Sequence, residues 1–171
     1  MIKENIYKAD SSKIVKREVI ESRNMRFREG FLSEDMDWCG KLLLYARSFA
    51  YVDQNFYIYR QQRPGAITYT NSDKLVQDKI TLCREGLNTA KEMSDIKMGF
   101  LLGSFYAYEY AVCLGISRNI KEKSILDEMK RLSVLLKYDK SDKVRKVNLL
   151  KRFIGYTFTR WVLCAFVKLK N

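Results

Sequence analysis

From residue 73 onward, apolar side chains recur at helical spacing. Val76, Ile80, Cys83, Leu87 and Ala90 step by four, three, four and three, which puts them on one face of an amphipathic helix capped by Ser72 or Asp73. Ile125, Met129, Leu132 and Leu136 form another such stripe, and Ser141 is placed to cap a final helix running almost to the end. Between these stripes lies GFLLGSFYAYEYAVCLGI, residues 99–116, apolar nearly all round with Glu109 inside it. Its 18 residues reach the lower limit for a membrane span, but the embedded carboxylate and the many aromatics favour a buried core helix.

The first seventy residues carry a different pattern. Ile14, Val15, Val19 and Ile20 are spaced irregularly and read as a short helix or turn. Ser33 is a candidate N-cap, with Glu34, Asp35 and Asp37 placing negative charge on the first turn of a helix that ends near Arg47. Leu42, Leu43 and Tyr45 supply its apolar face. The following SFAYVDQNFYIYRQ, rich in aromatic and β-branched residues and broken at Asp53-Gln54-Asn55, predicts one or two short strands, and Pro64-Gly65 a turn. The expected fold class is therefore α+β but mostly α: residues 1–70 mixed, residues 71–171 a helical appendage. So few strands cannot complete an α/β sheet, and the first part reads as the end of something larger.

Composition narrows the chemistry. The 171-residue chain has no histidine, which removes imidazole bases, Ser-His-Asp triads and His-ligated metals. Proton transfer is left to carboxylate, lysine, tyrosine or cysteine. Cys39, Cys83, Cys113 and Cys164 stand far apart with no CxxC pair, as buried free thiols do, and the charged N-terminus has no apolar export segment. A cytoplasmic location is expected. The net charge is +12, and residues 137–171 hold ten Lys/Arg against Asp139 and Asp142, a local net of +8. Such a chain is expected to meet something anionic.

The densest candidate for chemistry is Phe31-Leu32-Ser33-Glu34-Asp35-Met36-Asp37-Trp38, followed by Tyr57-Ile58-Tyr59-Arg60-Gln61-Gln62-Arg63-Pro64-Gly65-Ala66-Ile67-Thr68. With Arg17, Ile20, Phe27, Glu29 and Gly30 upstream, this string resembles the C-terminal portion of family-2 glycosyltransferases, bacterial polysaccharide-building enzymes of GT-A fold, over about residues 10 to 70. The resemblance implies the end of a GT-A α/β domain on the acceptor side, followed by a C-terminal helical bundle. It implies an inverting transfer of sugar from a nucleotide-sugar donor to a polysaccharide or lipid-linked acceptor. Asp35 is then the base that takes the acceptor proton, and Glu34 a neighbour that positions it or the acceptor. Arg60 and Arg63 suit the leaving diphosphate, because guanidinium groups pair bidentately with phosphate oxygens. Trp38 and Tyr59 either stack on a sugar ring or pack. A helix N-terminus lowers the pKa of Asp35 and burial beside Glu34 raises it, so the sequence leaves the balance open.

The family's nucleotide-binding half and its metal-binding DxD have no counterpart here, so the chain is expected to be truncated and inactive alone. A divalent metal, Mg or Mn, belongs to the intact family enzyme, and no cofactor is assigned to this chain. Asp35-Met36-Asp37 spells DxD without a preceding buried strand and carries little weight as a metal site.

The end of the chain, LLKRFIGYTFTRWVLCAFVKLKN, supports two readings. One is a helix lying in an anionic bilayer interface, with Phe158, Trp161 and flanking lysines, which would place the protein at the inner face of the membrane; the other is a last helix docked on the bundle. Surface attachment is the favoured reading. Against the enzyme stands a non-enzymatic, basic helical module that binds an anionic membrane surface or another polyanion; no nucleic-acid motif is present, and nucleic acid is not an expected partner.

Overall fold

The computed structural model describes residues 13–50, 52, 58 and 73–170, and its regular elements are all helical. In chain order they are α1 (Arg17–Ser22), α2 (Glu34–Tyr45), α3 (Asp73–Glu92), α4 (Ile96–Ile116), α5 (Lys123–Leu132) and α6 (Asp142–Lys170), with 3₁₀ turns at Ser117–Asn119 and Ser133–Lys137. The protein is thus mostly α, and there is no strand among the described residues. Ser48–Ala50, Val52 and Ile58 have no regular structure, while the rest of the strand expectation, the Pro64-Gly65 turn and Ser72 lie outside the described residues.

Helix α4 is the centre of the bundle and packs against α2, α3 and α6. It is long and apolar enough to cross a membrane by length and composition, yet Leu102, Phe105, Ala107, Tyr110, Cys113 and Leu114 are all buried by its neighbours. It begins three residues before the apolar run, at Ile96, because Asp95 caps it: the carboxylate accepts from the backbone N–H groups of Lys97 and Met98. The apolar run alone hides this start. The stripe from Ile125 to Leu136 likewise is not one helix. It is α5 to Leu132 and then a 3₁₀ turn, which keeps Leu135 and Leu136 in the core.

Residues 13–45 share this core. Met25, Met36, Trp38, Leu42 and Leu43 are buried in the same cluster as Val76, Ile80, Leu102 and Met129, so the division placed at residue 70 does not divide the core. The junction of α2, α3 and α4 is made by one ring. A Cβ at Gly40 would lie 2.3 Å from the Tyr106 hydroxyl oxygen, and a Cβ at Gly86 would lie 2.1 Å from Tyr106 Cε2. Both positions must be bare for the ring to enter.

Among the buried groups is an ion pair between helices: Lys79 Nζ of α3 lies 2.8 Å from Glu109 Oε2 of α4, both side chains largely hidden from water. Burial lowers the lysine's pKa, but the charge and hydrogen bond of Glu109 outweigh it and the net shift is upward. The four cysteines are free and buried, as expected. Burial, with the Glu109 charge adding, pushes the Cys113 thiol up to about 12, so it is inert as a nucleophile.

Lys79→Met strands a carboxylate in the core and is expected to cost about 3 to 5 kcal/mol, whereas Lys79→Met/Glu109→Leu recovers most of the loss. Urea denaturation of the three proteins measures both; a single variant as stable as the parent would refute the assignment. Tyr106 and Tyr110, also raised by burial, shift in the same sense as Lys79. Groups with raised pKa stabilise fully below their unfolded values and lose that contribution as pH climbs, so stability should decline above about pH 10.

Candidate functional site

The acidic motif opens α2. Chain reversal into it uses Gly30 at φ 76°, a left-handed conformation open to glycine at little cost. Ser33 occupies the N-cap position, but its buried side chain makes no capping bond; the backbone carbonyl of Ser33 accepts from Met36 N at 3.1 Å. Asp35 Oδ1 accepts from the same N–H at 2.9 Å, so this carboxylate, and not the serine hydroxyl, meets the helix start. The helix stops two residues short of the terminus expected near Arg47: α2 ends at Tyr45.

The four acids of this region divide by environment. Asp37 is buried and ion-paired to Lys41 at 2.6 Å, one turn on. Asp78, reaching over from α3, is buried, accepts from Leu32 N at 2.9 Å and pairs with Lys74. These two are structural. Glu34 and Asp35 are half-exposed at the first turn.

The loop entering α2 is clamped by cations. Arg28 forks onto Glu85 of α3 at 2.7 and 3.3 Å, and its guanidinium lies 4.0 Å from the centre of the Phe31 ring. Lys74 approaches the same ring at 5.7 Å. The Glu85 hydrogen bond raises the pKa of Arg28, and the charges of Glu85, Asp37 and Asp78 add to this.

Of the residues singled out from sequence, Glu34, Asp35 and Trp38 are brought together on one short helix. Trp38 is buried, and its ring stacks on Phe27 at 5.7 Å and 23°. The stacking face is filled from within the chain, and Phe27 is the aromatic that meets solvent. Tyr59, Arg60 and Arg63 lie outside the described residues. Sequence reasoning passed over Arg28 and Asp78; the only signal for Arg28 was its place in the Phe27–Gly30 string, and Asp78 stands between Val76 and Ile80 in sequence but off the apolar stripe they belong to. Among the described residues no three Cys, Asp or Glu side chains come together as metal ligands.

No family model matches the chain, and neither a search of characterised proteins nor one of solved structures finds a match.

Removing the Asp78 carboxylate should free the loop before α2 without unfolding the bundle. Asp78→Ala is expected to lower stability by about 1 to 3 kcal/mol and to speed hydrogen exchange at the Leu32 amide more than at amides of α4. Amide exchange followed by NMR tests this; unchanged protection at Leu32 would show that the bond does not hold the loop.

Proposed function

We propose that this chain forms the acceptor-side part of an inverting family-2 glycosyltransferase, moving a sugar from a nucleotide-sugar donor to a polysaccharide or lipid-linked acceptor. The observation that carries the reading is the division of the acids by burial: Asp37 and Asp78 are buried inside the fold, while Glu34 and Asp35 stand half-exposed at the start of α2. A base must be reachable and held. The backbone N–H of Met36 holds Asp35, and the clamped Arg28–Phe31 loop fixes the turn that presents it.

In this reading the Asp35 carboxylate takes the proton from the acceptor hydroxyl as its oxygen bonds to the anomeric carbon. The bond from that carbon to the diphosphate breaks, and the nucleoside diphosphate leaves with the electron pair. Glu34 orients the acceptor or the base. Arg60 and Arg63, by the family resemblance, hold the departing phosphates. The strands of a GT-A α/β domain belong to this proposal, as does the nucleotide-binding half that the intact enzyme requires. Trp38 supports the acceptor side by packing, with Phe27 as the exposed aromatic beside it.

The test is nucleoside diphosphate release from a panel of nucleotide sugars, using protein purified from its native locus with any partner chain retained. Asp35→Asn is expected to reduce turnover by about 10² to 10⁴ while leaving donor binding intact. Asp37→Asn should cost stability instead. Full turnover by Asp35→Asn would overturn the assignment of the base.

A further inference from the structure

The final helix changes character at Gly155, which adopts φ 78°, ψ 169° and interrupts the helical conformation. Beyond it, the inner face of α6 is fastened to the bundle at three points. Arg160 Nε donates to Ser117 Oγ at 2.9 Å and its Nη2 to the Ser117 carbonyl; Cys164 Sγ contacts the Leu114 carbonyl at 3.2 Å; Val167 lies so close to α4 that a Cβ at Gly115 would stand 2.8 Å from Val167 Cγ2. Arg160 thus does not face a bilayer or water as a surface charge would. It is the bolt of the docked face.

The opposite face of the same segment is also apolar. Phe158, Trp161, Val162, Ala165, Phe166 and Leu169 follow the spacing of a single helical stripe. Phe158 is 66% exposed, Trp161 69%, Phe166 60% and Leu169 88%, and Phe153, just before the break, is 84% exposed. An ordinary docked helix turns polar residues outward, and solvent does not favour this many large apolar groups on one surface. Along residues 137–168 the exposed charges are mostly cationic, Lys137, Lys140, Lys143, Arg145 and Lys146 ahead of the stripe in sequence and Arg152 and Lys168 next to it. The two acids of this region do not balance them, and one, Asp142, is already paired with Arg145.

We infer that the outer face of residues 156–169 is a docking surface for an anionic lipid bilayer, entered by the Phe158, Trp161, Phe166 and Leu169 side chains, with Arg152 and Lys168 next to it and the strongly basic run 137–146 ahead of it in sequence. The stripe matches a helix lying in the plane of the interface, with aromatics at headgroup depth and lysines at the phosphates. Charge chooses the occupant. A second copy of this chain would bring a local net of +8 against the same charge, which opposes pairing through this face. A phosphate-rich polymer would satisfy the cations and leave the apolar stripe in water. The inference stands independently of the role given to Asp35.

The experiment uses the full chain with phosphatidylcholine vesicles, with and without phosphatidylglycerol. Sedimentation with the anionic vesicles is expected, weakening as salt rises. Phe158→Ser/Phe166→Ser alters only exposed side chains and should reduce the bound fraction at least about tenfold. Acyl-chain-brominated lipid should quench the fluorescence of the parent protein and not that of Trp161→Phe, because the other tryptophan, Trp38, is buried in the core. The inference is overturned if the double variant binds as well as the parent, if neutral vesicles bind equally, or if brominated lipid leaves Trp161 unquenched. It is also overturned if the parent sediments as a dimer that the double variant abolishes, since a second copy would then be the occupant.

Discussion

The ring of Tyr106 stands where side chains of α2 and α3 would otherwise be. Gly40 and Gly86 present bare backbone to it from opposite helices, and this mutual approach decides how closely three helices meet around α4. Packing density then propagates outward, because a core at close packing leaves no slack for a displaced neighbour. The Lys79–Glu109 pair lies between two of the same helices and gives α3 and α4 a directional contact within an otherwise apolar surface. Hydrophobic burial supplies the bulk of the free energy, but it is indifferent to register; a pair of charges and a ring in a glycine notch are not.

That junction also determines what the acidic motif can be. Helix α2 is short and would not persist by itself in water. It is held by Gly40 against Tyr106, by Met36 and Trp38 in the core, and by the loop pinned to α3 through Asp78 and Glu85. The first turn is therefore fixed in space by side chains from two other helices, while its outer carboxylates stay wet. Such support keeps a half-exposed side chain in one place, the condition that preorganised chemistry sets.

Much of the helical half was legible because a 3.6-residue period survives in the sequence wherever one face is buried: the stripe of α3 and the stripe into Leu136 carry it, while α4 was legible by the length of its unbroken apolar run instead. What was hidden depended on contacts between distant residues. Nothing near Lys79 announces that its partner is Glu109, thirty residues on, and nothing near Gly86 announces a tyrosine. The start of α4 was missed because a cap is a local polar event and an apolar run is a poor guide to it. At the site, the resemblance pointed to Glu34 and Asp35, but spacing alone could not divide the four acids into two that are buried and two that are half-exposed. Phe27 taking the face of Trp38 is likewise a tertiary fact. In the last helix two readings were weighed as rivals, and the docked face is seen together with an apolar face left open, because a helix in which both sides are apolar looks the same in sequence whichever side is covered.

Gly155 divides α6 into two cooperative units. Its dihedral angles break the helical run between residues 142–154 and the segment that follows, and a Cβ there would meet no neighbour, so the break is a property of the backbone and not of packing. Helix propagation is cooperative only while the conformation is continuous. The segment beyond the glycine is held by contacts of its own, the Arg160–Ser117 bolt, the Cys164–Leu114 hydrogen bond and the packing of Tyr156 and Leu163 on the core, while Val144 anchors the first half of the helix. The two sides of the segment thus serve different ends: substitutions among its exposed side chains can change what that surface meets, while the inward side, with Thr159 and Cys164 buried and Leu163 packed on the core, keeps it on the bundle.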